Sequence, residues 1–455
     1  MTRLFGTNGV RGIVNETMTI ELATDLSRAI GTHFRGGKVA IGCDTRTSGD
    51  MLKSASISGL LSAGCSIVDL GIVPSPTLQL EVKSGDYSGG IIVTASHNPP
   101  EFNGIKCVDP DGLEMDKAGE EAIEEIYFSK KFQSVKWEDF RGVAAKDDTI
   151  GSYVSSIVKK VDADAVRQSR LKAVLDCGNG ATCLSSPKLL ESLGCRAVLL
   201  NEVPDGTFPG HESEPIPENL SELMSIVTES GAVLGIAHDG DGDRSIFVDE
   251  NGVYVHGDRT LALVAKHIVE EKSGGLVITP VSSSSSVEEA VRKAGGEVRY
   301  TAVGSPIVAR VMRETGAVFG GEENGGLIFP EHQYCRDGGM AAAKILELLA
   351  VTGEPLSGLL RDVPVYHTVK SKVHCPNERK SDVMSRLVRE LEGKEVDTTD
   401  GVKVLYSDGW ILIRPSGTEP LFRVFAESKS KDRVKELSNE GMRTIKSLIG
   451  SREGP

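Results

Sequence analysis

The chain of 455 residues is 39% apolar with few aromatic side chains, so it can bury several hydrophobic cores in three or four domains of about 150 residues each. Its formal net charge of −14 at pH 7 argues against nonspecific binding to nucleic acid or to an anionic membrane, because counterion release needs a basic surface. An anionic substrate would therefore need its own local clamp of Arg or Lys side chains.

The cysteines and the N-terminal stretch bear on the cellular compartment. None of the eight cysteines forms a CxxC pair, and reduced thiols are expected. The opening MTRLFGTNGVRG has no charged leader followed by an apolar stretch, and no later run reaches the ~20 apolar residues of a membrane span. These features predict a cytoplasmic protein.

Strand-like and helix-like segments alternate over the first three quarters of the chain. In chain order, IELATDLSRAIGTHF predicts a helix, KVAIGCD a strand, DMLKSASISGLLSAG a helix and CSIVDLG a strand. This alternation predicts parallel sheets covered on both faces. The pentaserine at 282–286 follows the strand-like GLVITPV and is interpreted as a helix-capping loop rather than a linker.

Three passages share one pattern of a glycine, an apolar strand and a polar or acidic loop. They are GGIIVTASHN from Gly89, GAVLGIAHDGDGD from Gly231 and GAVFGGEENGG from Gly316. Loops at the carboxyl ends of strands in an open α/β sheet are where ligands usually bind. The pattern predicts three related α/β domains that direct these loops at a shared cleft, and chance similarity among buried strands is the alternative.

The pattern of strand-like and helix-like segments changes after about residue 365. There, strand-like segments follow one another through short turns such as Ser407-Asp408-Gly409, which predicts a small α+β domain with an antiparallel sheet. The predicted domains are 1–150, 151–250, 251–365 and 366–455.

HDGDGDRSIFVDENG places Asp239, Asp241 and Asp243 at alternate positions. Close carboxylates repel one another unless a hard cation lies among them, and Mg²⁺ is favoured over Ca²⁺ because so few protein oxygens are supplied. A calcium loop of the EF-hand kind is one alternative, since Glu250 falls at its twelfth position, but Arg244 replaces its glycine and strand-like flanks replace its helices. A solvated acidic turn is the other alternative.

Four further loops could bind ligands or carry chemistry. RPSGTEPLFR, residues 414–423, offers an anion clamp, with a plain hairpin as the alternative. GGEENGG, residues 320–326, presents acid and amide groups suited to sugar hydroxyls, and LFGTNGVRG holds Arg11 among glycines; each could equally be an ordinary turn. VTASHNPP places the hydroxyl of Ser96 beside His97 at the end of an apolar run.

Taken together, TASHNPPEFNGIK, DGDGDR, GEENGG and RPSGTEP, in this order along the chain, resemble the motifs of the α-D-phosphohexomutases. That family contains phosphoglucomutases, phosphomannomutases and phosphoglucosamine mutases. The resemblance implies four domains around a central cleft: three related α/β domains with mixed sheets and a smaller C-terminal α+β domain.

The resemblance also implies a reaction. Ser96 would be phosphorylated in the resting enzyme, and one Mg²⁺ per chain would be held by Asp239, Asp241, Asp243 and an oxygen of that phosphoserine. The phosphoryl group would pass to a hexose 1- or 6-phosphate to give a bound hexose 1,6-bisphosphate, whose other phosphate returns to Ser96. The enzyme would be an isomerase with a phosphosugar substrate, as a monomer or homodimer.

The remaining site residues follow from the same resemblance. Lys106 and Arg11 would lie near Ser96 and assist proton transfer, although Arg is a poor base at neutral pH. His97 would position rather than act as general base, because adjacent side chains at a strand end tend to diverge. Arg244 would add charge beside the metal loop. Substrate groups would be held by Glu322, Asn324, Gly304, Ser305, Arg414, Ser416, Gly417, Thr418 and Arg423.

Two loops depart from some bacterial members in ways that concern sugar choice. Asn324 stands where a serine is common and Gly326 where a histidine is common, while Ser305 in TAVGSPIV replaces a His or Asp. Glucose and mannose phosphates are the expected substrates, and glucosamine phosphate is the alternative. A magnesium-dependent sugar phosphatase and a non-enzymatic sugar-phosphate-binding protein are the rival functions.

Overall fold

The computed structural model describes residues 3–6, 8–417 and 419–450, which form sheets of six, five, four and five strands in chain order. No helix among these residues is both long and apolar enough to cross a bilayer. The strands and helices predicted first in the chain are present in the first domain, over Ile20–His33, Lys38–Cys43, Gly49–Ser62 and Ser66–Ile72.

The first domain is a six-stranded sheet in the order β1-β5-β4-β2-β3-β6 with helices on its faces. Its elements are β1 Val10–Ile13, α1 Ile20–His33, β2 Lys38–Cys43, α2 Gly49–Ser62, β3 Ser66–Ile72, α3 Ser75–Ser84, β4 Gly89–Val93, β5 Phe102–Val108, α4 Lys117–Ser129 and β6 Val143–Ala145. The buried β4 side chains pack between two hydrophobic clusters, one on each face of the sheet.

The second domain has a five-stranded sheet in the order β11-β10-β9-β7-β8. Its elements are α5 Thr149–Val158, α6 Ala163–Ser169, β7 Lys172–Asp176, α7 Ser186–Ser192, β8 Arg196–Leu200, α8 Ser221–Ser230, β9 Leu234–His238, β10 Ser245–Asp249 and β11 Tyr254–Val255. Helix α5 packs against both α3 and α7 and so touches two domains. The boundary at residue 150, like those at 250 and 365, stays a prediction.

The third domain has a four-stranded sheet in the order β13-β12-β14-β15. Its elements are α9 Gly257–Glu271, β12 Leu276–Pro280, α10 Ser285–Lys293, β13 Glu297–Thr301, α11 Ser305–Thr315, β14 Phe319–Gly321, β15 Leu327–Ile328, α12 Gly338–Thr352 and α13 Leu356–Leu359. The pentaserine caps α10, since the Ser284 hydroxyl accepts a hydrogen bond from the Ser286 N–H at 3.1 Å. The helix-capping interpretation of this stretch is confirmed.

The three α/β sheets share one arrangement, and the predicted repeat is confirmed. Strands β4, β9 and β14 each pair in parallel with β2, β7 or β12 and antiparallel with the next strand, β5, β10 or β15. The sheets are therefore mixed rather than wholly parallel, because the connections 94–101, 239–244 and 322–326 are too short for the dozen or more residues of a parallel crossover. These three short connections carry the motifs singled out in the sequence.

The fourth domain is an antiparallel sheet in the order β16-β20-β19-β18-β17 with two helices packed on it. Its elements are β16 His367–His374, α14 Lys380–Glu390, β17 Val396–Asp397, β18 Val402–Tyr406, β19 Gly409–Pro415, β20 Leu421–Ser428 and α15 Lys431–Gly450. Tyr406 pairs with Gly409 across the predicted two-residue turn. The C-terminal α+β domain is confirmed.

Polar side chains join the fourth domain to the third. The carboxylate of Glu427 is fully buried and accepts hydrogen bonds from the Trp410 indole at 2.8 Å and from the Ser285 N–H at 2.9 Å. The ammonium of Lys403 donates to the Val281 carbonyl at 2.8 Å and lies 4.1 Å from the Trp410 ring. The link is therefore a buried, hydrogen-bonded contact at the start of α10.

A buried carboxyl in the first domain predicts a pH dependence of stability. Burial raises the pKa of Glu120 to about 7 despite its ion pair with Arg3 at 3.1 Å, whereas an unfolded Glu titrates near 4.3. Because the folded-state pKa is the higher one, folding takes up a proton between these values and stability falls as the pH rises through this window. We expect Glu120→Gln to raise the free energy of unfolding by about 1–3 kcal/mol at pH 8, and by less at pH 5.

Urea unfolding at the two pH values would measure this difference. The matched control is Glu138→Gln, an exposed carboxyl to amide change in the same domain. A destabilised Glu120→Gln protein at pH 8, or a gain equal at both pH values, would contradict the expectation.

Candidate active site

Ser96 lies in the connection between β4 and β5, buried and in a strained backbone conformation. Its φ of +53° is in the left-handed region, which is uncommon for a residue other than glycine and often marks a functional site. Its N–H donates to the Thr94 hydroxyl at 2.9 Å. Its own hydroxyl donates to Asp239 Oδ2 at 2.7 Å, so the second domain supplies the contact partner of the serine.

Arg46 holds this loop and was missed by the sequence reasoning. It lies just beyond β2, the strand beside β4, and its guanidinium is ion-paired with Asp44 at 3.1 Å. The same guanidinium donates to four loop carbonyls, those of Ser96 at 2.8 Å, Asn98 at 2.5 Å, Pro99 at 2.6 Å and Phe102 at 2.9 Å. A charged pair placed directly after a predicted buried strand, as in CDTRTS, is the signal that could have found it.

Asp239, Asp241 and Asp243 lie together in the hairpin loop between β9 and β10. Each is at most 2% exposed, and their carboxylate oxygens lie within 4.8 Å of one another. The EF-hand alternative is wrong because both flanks are strands, with His238 paired to Ser245, and the solvated-turn alternative is wrong because the loop is buried. Burial and the two neighbouring carboxylates raise the pKa of Asp239 to about 8.

Lys106 supplies part of the counter-charge for this cluster. Its buried ammonium lies 2.6 Å from Asp241 Oδ2 and 3.6 Å from Asp243 Oδ2, and the Ser75 hydroxyl donates to the same Asp241 oxygen at 2.6 Å. Burial opposes the charge on Lys106, but the two carboxylates outweigh it and raise its pKa above the ordinary value. Lys106 is therefore a fixed cation at neutral pH.

The remaining carboxylate oxygens fit a divalent cation. Among the described residues, Asp241 Oδ1 and Asp243 Oδ1 are buried without a hydrogen-bond partner, and Arg244 Nε comes no nearer to Asp243 Oδ1 than 3.7 Å. Buried carboxylate oxygens that lack donors are costly unless a cation coordinates them. The donor set consists of hard oxygens, which suits Mg²⁺.

Arg11 and His97 lie on the Ser96 side of the cluster. Arg11 donates to the Ala95 carbonyl at 3.1 Å and to Asn98 Oδ1 at 2.8 Å. The His97 ring differs from expectation: its Nδ1 lies 3.3 Å from the Ser96 hydroxyl, because the left-handed backbone at Ser96 folds the two side chains together. The positive charge of Arg244, together with burial, lowers the pKa of His97 far below its ordinary value, so the ring is neutral.

Glu322 reaches the cluster through a second arginine that the sequence reasoning did not single out. The Glu322 carboxylate is 5% exposed and accepts from Arg336 at 2.9 Å, and the same guanidinium donates to Asp243 at 2.5 Å. Asn324 instead accepts from the Gly326 N–H at 3.1 Å, which closes the turn of its own loop.

Gly304 and Ser305 lie at the start of α11 and face the first domain. Gly304 has a φ of +140°, and the Ser305 hydroxyl donates to Glu114 at 2.6 Å. The other oxygen of Glu114 accepts from the Asn8 amide at 2.5 Å. The loop predicted to govern specificity is therefore held against the first domain.

The segment 414–423 connects β19 to β20 and makes its described ion pairs within the fourth domain. Arg414 pairs with Asp400 at 2.8 Å and Arg423 with Glu419 at 2.7 Å. The ammonium of Lys380 donates to the Ser416 carbonyl at 2.6 Å, and Gly417 is exposed. Thr418 lies outside the described residues. The structure thus brings Ser96, Lys106, the three aspartates and, through Arg336, Glu322 into one cluster. Ser305 instead pairs with Glu114, Asn324 closes its own loop, and the arginines of the anion clamp pair with carboxylates of the fourth domain.

Models of four known domains match successive parts of this chain. They are phosphoglucomutase/phosphomannomutase alpha/beta/alpha domain I over residues 2–134, domain II over 151–252, domain III over 256–366 and the C-terminal domain over 371–443.

Whole-chain relatives agree with these matches. A phosphoglucomutase/phosphomannomutase of Thermococcus kodakarensis is 44% identical over 455 residues, covering 99% of this chain and 100% of that protein. A Methanopyrus kandleri protein named "Probable phosphoglucosamine mutase" is 44% identical, covering 99% of each. A crystal structure of a phosphoglucomutase/phosphomannomutase family protein from Burkholderia thailandensis superimposes with a TM-score of 0.87 at 29% identity, over 99% of this chain and 98% of that one. The chain belongs to the phosphoglucomutase/phosphomannomutase family, the phosphohexomutases.

Proposed function

We propose that this protein interconverts hexose 6-phosphates and hexose 1-phosphates through a phosphorylated Ser96 and a bound hexose 1,6-bisphosphate. The observation that carries the proposal is the contact of the Ser96 hydroxyl with Asp239, 2.7 Å away, at the edge of three buried carboxylates. This contact places the Ser96 hydroxyl against a set of hard metal ligands from another domain, whereas the other hydroxyl of the TASHNPP loop, on Thr94, donates to Asp44.

The metal would be Mg²⁺, held by Asp239, Asp241, Asp243 and an oxygen on Ser96. When bound, the cation supplies positive charge that stabilises the negative charge spread over a phosphoryl group in transfer. The two unpartnered Oδ1 atoms of Asp241 and Asp243 support this assignment.

In the transfer step, a substrate hydroxyl oxygen attacks phosphorus on phosphoserine 96, the P–Oγ bond breaks, and the hydroxyl proton leaves the attacking oxygen. Lys106 and Arg11 are cations beside the serine loop and stabilise charge rather than accept this proton. The neutral His97 ring, with Nδ1 3.3 Å from Ser96 Oγ, lies farther from this oxygen than Asp239 Oδ2 at 2.7 Å, and the charge of Arg244 together with burial keeps the pKa of His97 too low for it to take up a proton. His97 therefore orients the serine hydroxyl, and the proton that leaves the substrate oxygen ends on Ser96 Oγ once the P–Oγ bond has broken.

Substrate positioning would fall to the other two domains. Glu322 would accept hydrogen bonds from sugar hydroxyls, and Gly304 and Ser305 would border the sugar. Arg414, Ser416, Gly417, Thr418 and Arg423 would bind the phosphate that is not reacting. For this, Arg414 and Arg423 must exchange the carboxylates of Asp400 and Glu419 for phosphate oxygens, which offer the same bidentate geometry.

Glucose and mannose phosphates are the proposed substrates. The relative from Thermococcus kodakarensis, named for both activities, supports this choice. Glucosamine phosphate is the second candidate, because the equally similar Methanopyrus kandleri protein is named for the amino sugar. A magnesium-dependent phosphatase is the remote alternative, and interconversion that depends on the bisphosphate without net release of phosphate would separate the two.

The test is a side-by-side assay of phosphorylated enzyme with Mg²⁺ on the 1-phosphates of glucose, mannose and glucosamine, each with its 1,6-bisphosphate. Comparable rates on glucose and mannose would support the proposal, and a strong preference for glucosamine would support the second candidate. Release of inorganic phosphate in step with substrate loss would contradict a mutase and favour the phosphatase.

A further inference from the structure

Arg336 occupies a position between two functional loops that belong to different domains. It lies between β15 and α12 and is only 6% exposed. Its guanidinium donates through Nη2 to Asp243 Oδ2 at 2.5 Å and through Nη1 to Glu322 Oε2 at 2.9 Å. One fork-shaped cation therefore joins the carboxylate loop of the second domain to the sugar-loop carboxylate of the third.

The backbone at Arg336 is fixed by its neighbour. The carboxylate of Asp337 caps α12 through the Met340 N–H at 3.0 Å and accepts from the Tyr153 hydroxyl at 2.5 Å and the Gln333 amide at 2.8 Å. Its own N–H donates to the Leu327 carbonyl at 3.0 Å. These buried contacts fix the backbone from which Arg336 extends, and Asp243 and Glu322 hold its guanidinium.

The two carboxylate oxygens of Asp243 have different partners, and this difference indicates the role of the Arg336 guanidinium. Arg336 binds Oδ2, while Oδ1 is buried without a hydrogen-bond partner among the described residues, and one oxygen of Asp243 lies within 4.8 Å of oxygens of Asp239 and Asp241. A hydrogen bond to the outer oxygen of a ligating carboxylate orients its inner oxygen. Glu322 in turn draws part of the positive charge of Arg336 away from Asp243.

We propose that Arg336 is a positioning residue that couples the sugar loop to the metal-binding carboxylates. It orients Asp243 Oδ1 towards the cation and Glu322 towards the sugar hydroxyls. Each of the two loops therefore takes its binding conformation only when the other loop is also in position. This inference rests on the proposed function of the Asp cluster and of Glu322. A lysine cannot substitute, because a point charge on a flexible stem does not bridge two carboxylates in a fixed geometry.

The direct test measures Mn²⁺ binding to the purified protein by electron paramagnetic resonance, without any turnover. Arg336→Met is expected to raise the Kd for Mn²⁺ by about 10- to 100-fold, as removal of an outer partner of a metal ligand does. Arg336→Lys is expected to recover either the Mn²⁺ affinity or the KM for the sugar phosphate, but not both. Arg167→Met, an exposed arginine on α6, is the control.

Glu322→Gln provides the sharper variant, and it stays informative if Arg336→Met does not fold. Glu322 is not among the metal-binding carboxylates, yet its neutralisation leaves the whole charge of Arg336 on Asp243. We expect a severalfold weaker Mn²⁺ affinity from Glu322→Gln alone, and no additional effect of this change in the Arg336→Met background.

Unchanged Mn²⁺ affinity in both single variants would overturn the coupling, as would recovery of affinity and KM together by Arg336→Lys. A different result would contradict the proposed function. If the wild-type protein binds Mn²⁺ and the variants show the coupling, but the protein interconverts no hexose phosphates, the mutase activity is contradicted. The role of Arg336 at the metal-binding carboxylates would still be supported.

Discussion

Ser96→Ala is expected to abolish hexose phosphate interconversion, with a loss on the order of 10⁴-fold or more, because no other hydroxyl of its loop contacts Asp239. The fold should survive, since the change removes one oxygen from a buried side chain and costs less than about 2 kcal/mol. The measurements are the mutase rate and the intact mass after incubation with hexose 1,6-bisphosphate. Wild type should gain the mass of one phosphoryl group and the variant should not.

Ser54→Ala is the matched control, because Ser54 is an exposed serine on α2 of the same domain. It should keep both the rate and the phosphorylation. A Ser96→Ala enzyme that still takes up the phosphoryl group would show that another residue carries it and would remove the basis of the proposed mechanism.

Asp241→Asn is expected to lower the mutase rate on the order of 10³-fold at saturating substrate, which corresponds to several kcal/mol of lost transition-state stabilisation. The change removes one of three candidate metal ligands and the main partner of Lys106, 2.6 Å away. Chelation of divalent ions should abolish the mutase activity of the wild-type enzyme. Added Mg²⁺ should restore this activity at concentrations at which the variant remains nearly inactive.

A Mg²⁺ titration of both proteins, with thermal unfolding recorded in parallel, separates loss of the metal from loss of the fold. Asp147→Asn, which changes an exposed carboxylate, is the control and should titrate like wild type. Wild-type activity that persists after thorough chelation would show that the cluster works without a divalent cation.

The catalytic loops could be predicted from the sequence because each is a short connection whose residues act locally. The Asp-Gly alternation at 239–243 and the serine after an apolar run mark their loops without any knowledge of the fold. Arg46 and Arg336 could not be assigned in the same way. Their partners lie up to 56 and 93 residues away in the chain, so the role of Arg46 exists only once β2 lies beside β4 in the first sheet, and that of Arg336 only once the second and third domains are assembled.

Local conformation explains the other differences. The rule that adjacent side chains at a strand end diverge assumes extended backbone, and the left-handed φ of Ser96 breaks that assumption for His97. Likewise, alternating strands and helices indicate parallel pairing, but the short connections after β4, β9 and β14 force one antiparallel neighbour into each sheet. In both cases the function-bearing loop is where the general pattern fails.

The bridge that Arg336 makes between Asp243 and Glu322 also has a consequence for synthesis on the ribosome. Asp243 is translated before Arg336, the residue whose guanidinium pairs with it, because Arg336 follows 93 residues later in the chain. Until the third domain emerges, the nascent second domain lacks the bridge from Asp243 through Arg336 to Glu322, although Arg244 of the same loop and Lys106 of the first domain are already present. The connection between the carboxylate loop and the sugar loop is therefore completed only after the third domain has been synthesised.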